Sequence, residues 1–128
     1  MTTIQIGKVI NALLTASTAL KAKIDNRIYP IVSKEGTLYP FVVYRRNSIT
    51  PTYCKDGLAT ETASVDVVVA AATYPDSIEV ADLVRSALDC QSCVYQETTT
   101  IRHIEMTTAE EDFIDDTYIQ TLNFNFTI

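Results

Sequence analysis

The one histidine of the sequence, His103, is the side chain best suited to general acid–base chemistry near neutral pH. Such chemistry needs a nucleophile and an orienting partner within hydrogen-bond reach, and no motif of the sequence brings these groups to His103. Strand alternation puts His103 on one face with Ile101 and Glu105. The sequence therefore predicts an ordinary strand residue beside a carboxylate, and no enzymatic activity.

Cys90 and Cys93 have the CxxC spacing that occurs in zinc sites and in thiol redox sites. A structural zinc needs four ligands, and the remaining candidates, Cys54 and His103, lie far away in the chain. A redox pair sits at a helix N-terminus, where the helix dipole lowers the thiol pKa, whereas this pair follows the predicted end of a helix. Two ordinary loop thiols are the favoured interpretation, and no metal or cofactor is predicted.

An acidic segment at residues 109–116 is the densest cluster of charge in the sequence. It lacks the alternating oxygen ligands, the central glycine and the final glutamate of a calcium loop, so we expect a solvated hairpin tip. Phe113 and Ile114 interrupt the charges, and two large apolar residues on a charged tip indicate packing against the domain or against a neighbour. The carboxylates of the segment are Glu110, Glu111, Asp112, Asp115 and Asp116.

These side chains are positioned by elements that the apolar pattern predicts, above all a strand that leads into a helix within Thr60–Leu88. In residues 63–71 every second side chain is apolar, which is typical of a strand with one face on the core. Asp76 and Glu79 then have the spacing of an N-cap and its capping-box partner. A helix is therefore predicted from about Asp76 to Leu88.

A first helix is predicted from Thr2 or Thr3 to about Ile24, because apolar residues recur there at three- and four-residue steps. Its opposite face carries Thr15, flanked by the small Ala12 and Ala19, and small side chains would let a second surface approach closely. The alanines are equally well explained as good helix formers.

Four further strands are expected, at Arg27–Ile31, Phe41–Arg46, Thr98–Met106 and Tyr118–Ile128, and Pro30 puts the first of them at an edge or a strand start. The connection at residues 47–59, which contains Tyr53, is predicted as a wide hairpin, and its length indicates a function or a strand extension of its own. The order α-β-β-β-α-β-β predicts an α+β fold with a largely antiparallel, partly mixed sheet and both helices on one face. Residues 1–128 are expected to form a single domain.

The charge is distributed unevenly along the chain. Residues 1–60 hold eight Lys and Arg, among them Arg45 and Arg46, against three acids, whereas residues 61–128 hold two against thirteen. A basic and an acidic side would suit contacts with different neighbours, although charge scattered over a solvated surface explains the same numbers. The acidic half repels phosphates and no basic–aromatic stripe is present, so specific nucleic-acid binding is not predicted. Without a bilayer-length apolar run or a signal-peptide pattern, neither membrane insertion nor export is expected.

Several short motifs occur in a recognisable order. They are the amphipathic first helix with Ala12-Leu13-Leu14, then Asn26–Tyr29, Tyr39–Tyr44, Val65–Val69, Thr73-Tyr74 and Ala81–Leu88. In this order and spacing the sequence resembles the tail-completion, or tail-terminator, proteins of long-tailed bacteriophages and prophages, over about residues 8–128. One departure is Ala70-Ala71-Ala72, where members of the family often place a tryptophan or another bulky residue late in the long strand.

The resemblance implies a structural protein of the virion that has neither catalytic activity nor a cofactor. It implies a homo-oligomeric ring, usually a hexamer, at the head-proximal end of the tail tube, assembled in the host cytoplasm. Its implied partners are further copies of itself, the tail tube protein and the head-completion or connector protein.

A ring needs a heterologous interface, in which one patch of a subunit meets a different patch of the next. The candidate contact residues are Ala12, Thr15, Ala19, Arg45, Arg46, Tyr53, Glu111, Phe113 and Ile114. The alternative interpretation is a small non-catalytic interaction module or chaperone-like adaptor with the same sheet, working as a monomer or dimer.

Overall fold

The computed structural model of the chain describes residues 3–33, 36–89, 93–95 and 99–128. Its architecture is α+β, as predicted, and no helix within these ranges is long and apolar enough to cross a membrane. A 3-10 turn, Thr3–Gln5, precedes the helices α1 (Ile6–Ala16), α2 (Thr18–Ile24) and α3 (Tyr74–Leu88). The strands are β1 (Ile28–Pro30), β2 (Phe41–Cys54), β3 (Gly57–Ala71), β4 (Cys93–Tyr95), β5 (Thr99–Ile101), β6 (His103–Ile114) and β7 (Thr117–Thr127).

Five strands form the main sheet, in the order β1-β2-β3-β7-β6. β1 is parallel to β2 and the other three pairs are antiparallel, which confirms the predicted mixed sheet. β1 lies at an edge, as Pro30 predicted, and pairs with Val42–Tyr44 of β2. β4 and β5 form a separate antiparallel ribbon that the sequence pattern did not predict.

The helices and one face of the sheet share a cluster of buried apolar side chains, which confirms that the helices pack on one side. The predicted alternation in residues 63–71 is correct, because every second side chain there, from Ala63 to Ala71, is fully buried. Phe124 and Phe126 of β7 complete this face, and each of them is fully buried. Truncating a buried Phe to Ala typically costs about 3–5 kcal/mol, so these rings are major determinants of stability.

The predicted first helix is two helices, because the chain breaks at Ser17. Ser17 adopts an extended conformation with ψ 110°, and its Oγ accepts a 3.3 Å hydrogen bond from the Leu20 amide. This is an N-cap interaction, in which a serine satisfies an amide that a continuing helix would have bonded to its own backbone. The apolar face was predicted correctly despite the break, since Ile6, Leu14 and Leu20 are all fully buried.

Helix α3 begins earlier than predicted, and its N-cap is Thr73 rather than Asp76. Thr73 Oγ1 accepts the Asp76 amide at 3.4 Å, and Pro75 occupies the first turn, where its missing N–H costs nothing. The predicted capping box is therefore wrong. Glu79 instead lies 2.9 Å from Lys23 Nζ, an exposed ion pair that joins α3 to α2 and raises the pKa of Lys23.

The connection at residues 47–59 is a continuation of two strands and not a wide loop. β2 and β3 stay paired as far as Cys54 and Gly57, and residues 55–56 form the turn. Gly57 has φ 115°, a conformation that side-chain-bearing residues rarely adopt. The strand extension that the sequence allowed is confirmed, since threonine, isoleucine and tyrosine in this stretch favour strands and Pro51 is tolerated near a sheet edge.

Strand β6 runs through most of the predicted acidic turn. It extends to Ile114, and only Asp115 and Asp116 connect it to β7. Both residues have positive φ, 51° and 61°, which is typical of the tight two-residue turns that Asp tolerates. The expected strand at 98–106 is divided between β5 and β6, and the acidic residues before the turn lie on a strand.

Candidate assembly surfaces

His103 begins the outer strand β6, and its Nε2 lies 3.6 Å from Glu105 Oε2. Both side chains are about half exposed, which confirms a strand residue beside a carboxylate. Ile101 was predicted to share their face, but it belongs to β5 and is buried. A solvated pair on an outer strand is the setting of a surface residue rather than of a base held in a cleft.

The cysteine motif falls partly outside the described residues, because Cys90 is not among them. Cys54, which lies at the end of β2, is a free and exposed thiol. Within the residues that the structure describes, no group of three or more His, Cys, Asp or Glu is placed to hold a metal ion. The remaining predicted functional residues lie on surfaces of the domain.

The small-residue face of the first two helices contains a shallow groove. Ala19 lines it together with Leu83 and Ala87 of α3, and the cavity volume is about 390 Å³. Ala12 is half-buried and Thr15 is exposed, with its hydroxyl donating to the Asn11 carbonyl of its own helix at 2.7 Å. The groove is thus apolar and shallow, and the hydroxyl of Thr15 is engaged within its own helix.

The acidic end of β6 carries a small aromatic cluster. The ring of Phe113 lies 4.7 Å from that of Tyr118, which in turn lies 5.9 Å from Tyr74 at the start of α3. Phe113 is nevertheless 53% exposed and Ile114 is 50% exposed. The prediction that this end packs against the domain is therefore confirmed only in part, because half of each side chain stays open to a neighbour.

The Glu111 carboxylate holds this end of β6 in place through hydrogen bonds. Its Oε2 accepts hydrogen bonds from the Tyr74 hydroxyl at 2.8 Å and from Gln120 Nε2 at 3.2 Å. These two donors stabilise the carboxylate and lower the pKa of Glu111, and the same contact raises the pKa of Tyr74. Glu111 is thus held in place by two hydrogen-bond donors, although it is exposed, as are Glu110 and Asp112 on the same strand.

Arg45 and Arg46 are adjacent in β2, so they lie on opposite faces of the sheet. Arg46 Nη1 donates a 2.6 Å hydrogen bond to the Ile4 carbonyl and so holds the N-terminal turn against the strand. Arg45 is opposite Asp66 in the β2–β3 register, on the face away from the helices. Both side chains are exposed, and together they give this part of β2 a positive charge on both faces.

An apolar pocket of about 330 Å³ lies beside these arginines, where β1 ends and exposes the edge of β2. Among its lining residues, Ile4 is 67% exposed and Ile31 is 73% exposed. Val32 and Leu38 of the same loop are equally exposed. This surface was not predicted from the sequence, although the exposed apolar pair Ile31-Val32 directly follows Pro30.

Tyr53 lies at the end of β2, next to the β2–β3 turn, and is 71% exposed. The predicted contact residues therefore do not form one site. The helix groove, the β2–β3 turn with Tyr53, the basic part of β2 and the acidic end of β6 are separate surfaces. β3 and β7 lie between the last two, so the basic and acidic surfaces are at opposite edges of the sheet.

Comparisons with known proteins agree with this architecture. A family model described as Tail completion protein gp17 matches residues 8–128. A chain from the virion of a native gene transfer agent (GTA) particle has a similar fold, with a TM-score of 0.79 and 18% identity, covering 92% of this chain and 90% of that chain. No curated protein matches the sequence significantly. Since the family model spans nearly the whole chain, the resemblance is confirmed, and the protein belongs to the Tail completion protein gp17 family of structural phage tail proteins.

Proposed function

We propose that the protein forms a ring, six-fold in symmetry, that caps the head-proximal end of the tail tube and joins the tail to the head connector. The observation that carries the proposal is the match to the tail-completion family over residues 8–128. The similar fold of a chain in the gene transfer agent virion supports a position within the assembled particle.

The sheet edges support a ring over other assemblies. A closed ring needs two different patches that face opposite directions around the subunit, whereas a two-fold dimer needs one self-complementary patch. Arg45 and Arg46 lie near one edge of the sheet and Glu110 and Asp112 lie on the other, so each subunit has two complementary sides. A two-fold contact through either edge would instead bring like charges together.

The remaining exposed surfaces are available for partners along the tail axis. We assign the helix groove lined by Ala19, the helix residues Ala12 and Thr15, and the β2–β3 turn with Tyr53 to contacts with the tail tube protein and the head connector. The net charge of −6 suits a ring through which DNA must pass, because a positively charged lumen would bind phosphates and retard the DNA. The protein acts by holding partners in place, without catalysis.

Deleting the gene for this chain tests the proposal. We expect tails of uncontrolled length together with filled heads that have no tails attached, and we expect the wild-type gene supplied in trans to restore joined particles. A His103→Ala gene should restore them equally well, because His103 is a solvated strand residue. Joined tails of normal length in the deletion strain would refute the proposal.

A further inference from the structure

A sharp turn directly after β1 holds two apolar side chains out of the domain. Ile31 is 73% exposed and Val32 is 72% exposed, whereas Ile28 of β1 packs against the core. Ile31 has φ 65°, an outlier for a β-branched residue, and the Val32 amide donates a 2.6 Å hydrogen bond to the Pro30 carbonyl. Backbone strain of this kind is concentrated at functional positions of proteins.

The same turn protects the outer edge of β1 against the addition of a further strand. Arg27 and Ile31 bond to β2 through their backbones, and strand alternation then points the backbone groups of the residues between them outward at Ile28 and Pro30. Pro30 has no N–H, its carbonyl accepts the Val32 amide, and the Ile28 amide is bonded to a carbonyl two residues before it. A partner at this edge therefore meets mainly side chains.

On the opposite side of the domain, a cavity of about 200 Å³ lies between α3 and β6. Ala81, Met106 and Ala109 give it apolar walls, and Arg85 in the wall forms an ion pair with Asp89 at 3.2 Å. The volume exceeds the roughly 150 Å³ of a cavity that holds a benzene molecule, so it has room for an aliphatic side chain.

The two ends of this cavity lie at different heights, where height means the position along the strand direction. Asp89 Oδ1 accepts the Met106 amide at 3.0 Å, so the last turn of α3 lies beside Met106. Gln120 Nε2 donates to Ser77 Oγ at 3.3 Å, so Ile78, the next residue of the helix, lies towards the β6–β7 turn. The Met106 end and the Ile78 end of the cavity are therefore distinct.

The strand registers relate the height of the β1 turn to that of the cavity. Through the paired strands β2, β3 and β7, Arg46 is level with Met106. By the same route, Pro30 of β1 is level with Ala109. Ile31 follows Pro30 and lines a pocket together with Arg46, so it lies between these two heights.

A rotation axis parallel to the strands leaves every residue at its own height, so neighbouring copies in such a ring meet level with each other. The turn after β1 then lies beside the Met106–Ala109 part of β6 in the next copy. Ile31 lines a pocket with residues of α1, and this part of β6 lines the cavity with residues of α3, so both surfaces are on the helix side of the sheet. The apolar turn and the cavity therefore match in height and in face.

The charges around the two surfaces are opposite in the same arrangement. Arg27, directly before β1, is level with Asp112 when the β1 register is extended by one residue. Arg46 is level with Met106, next to the exposed Glu105. Two copies of the β1 side would bring positive charges together, and two copies of the β6 side would bring negative charges together, so each side favours the other.

We propose that the Ile31–Val32 turn of one subunit docks into the cavity between α3 and β6 of the next copy of this chain. This rests on the proposed function, because it identifies the lateral contact between neighbouring subunits of the ring. The turn packs against Met106 and Ala109, whereas Ile78 at the other end of the cavity stays outside the contact.

Cysteine cross-linking in assembled rings tests the contact and its height. Val32→Cys with Ala109→Cys should form disulfides between neighbouring subunits when rings on tail tubes are oxidised with diamide, because the contact brings the two Cα atoms within the roughly 4–7 Å that a disulfide spans. Val32→Cys with Phe113→Cys, further along the same face of β6, is the matched control and should link at least about tenfold more slowly. Each single variant gives the background from the native cysteines.

The set of linked species reports the direction of the contact. A contact between two different surfaces links subunits into a ladder that extends to the complete ring, whereas a two-fold contact stops at dimers. Valine and cysteine are similar in size and both changed positions are exposed, so the reduced chain should fold and assemble as the wild type does. Ile31→Cys with Ala109→Cys is the second pair and should give the same ladder.

Oxidation of Met106 provides a measurement on the unchanged chain. Hydrogen peroxide converts accessible methionine to its sulfoxide, and Met106 should be oxidised more slowly in rings on tail tubes than in free subunits. Wild-type rings in which Met106 is not protected, or rings in which Phe113→Cys links and Ala109→Cys does not, would overturn the contact and leave the proposed function intact. A wild-type chain that forms no ring on tail tubes would refute the proposed function, and the contact with it.

Discussion

The Tyr74 hydroxyl donates a 2.8 Å hydrogen bond to Glu111 Oε2 and so joins the first turn of α3 to the acidic end of β6. Without this contact, the end of β6 would be tied to the domain mainly through its pairing with β7. The hydrogen bond keeps an outer, highly charged strand in a fixed position. A strand that serves as an interface benefits from such fixing, because less conformational freedom is lost when a partner binds.

The Tyr74–Glu111 contact predicts a specific pH dependence of stability. Because the pKa of Glu111 is lowered in the folded protein, its contribution is present above the ordinary glutamate pKa of 4.5 and is lost as the pH falls through the lower folded value. Tyr74→Phe should therefore lower the free energy of unfolding near neutral pH. The difference in this free energy between the variant and the wild type should become smaller in acid. Chemical denaturation at a series of pH values measures this, with exposed Tyr53→Phe as the control. A difference that is constant over that range would contradict the assignment.

The N-cap of α3 predicts an order of effects at two neighbouring positions. Thr73→Ala should lower the free energy of unfolding by about 1 kcal/mol, because the Asp76 amide loses its acceptor. Asp76→Ala should lower the free energy of unfolding by a smaller amount, since it removes only a negative charge near the start of the helix. Chemical denaturation of both variants shows which residue is the N-cap. A larger loss of unfolding free energy for Asp76→Ala than for Thr73→Ala would identify Asp76 as the cap, as the sequence predicted.

The exposed residue Ile31 should matter for assembly and not for folding. Ile31→Ser changes a side chain that is 73% exposed, so the free energy of unfolding should stay within about 0.5 kcal/mol of wild type. Assembly of rings on tail tubes should weaken, because the exposed apolar pocket at the basic side of the subunit loses part of its surface. Ile78→Ser, at an exposed position of α3, is the matched control and should bind as wild type does. Unchanged tube binding by Ile31→Ser would remove this pocket from the interface.

The helix groove makes a separate prediction. Ala19→Arg places a long charged side chain in the groove beside Leu83 and Ala87, on a residue that is exposed in the free chain. Thermal unfolding should be nearly unchanged, while joining of tails to heads should fall. Ala72→Arg, at an exposed position after β3, is the control. If Ala19→Arg supports normal joining in complementation, the groove is not a contact.

Sequence patterns correctly predicted those parts of the fold that depend on residues close together in the chain. The alternation in β3 identified its buried face because the apolar side chains there meet a continuous core. The break at Ser17 was missed because a serine inside an apolar helical pattern is compatible both with one helix and with a cap between two. At α3, Thr73 and Asp76 are both good cap residues, and only the hydrogen bond in the structure distinguishes them.

The position of each strand in the sheet depends on long-range pairing, which local patterns do not contain. The uneven charge of the sequence was compatible with separate basic and acidic sides, but it did not reveal that β7 inserts between β3 and β6 and so leaves the acidic strand at an edge. Residues 109–116 were predicted to be a turn, because acidic residues are common both in turns and on exposed strands. The exposed Ile4 and Ile31 became a candidate surface only when α1, β1 and β2 were seen to meet.

Electron cryo-microscopy of tails shows whether this protein caps the tail tube as a ring. In tails purified from a strain that carries the wild-type gene, we expect a closed ring at the head-proximal end of the tube, with density into which this α+β domain fits. Tails from the deletion strain should lack that ring. Wild-type tails without such a ring, or with the domain at another position, would refute the proposed function.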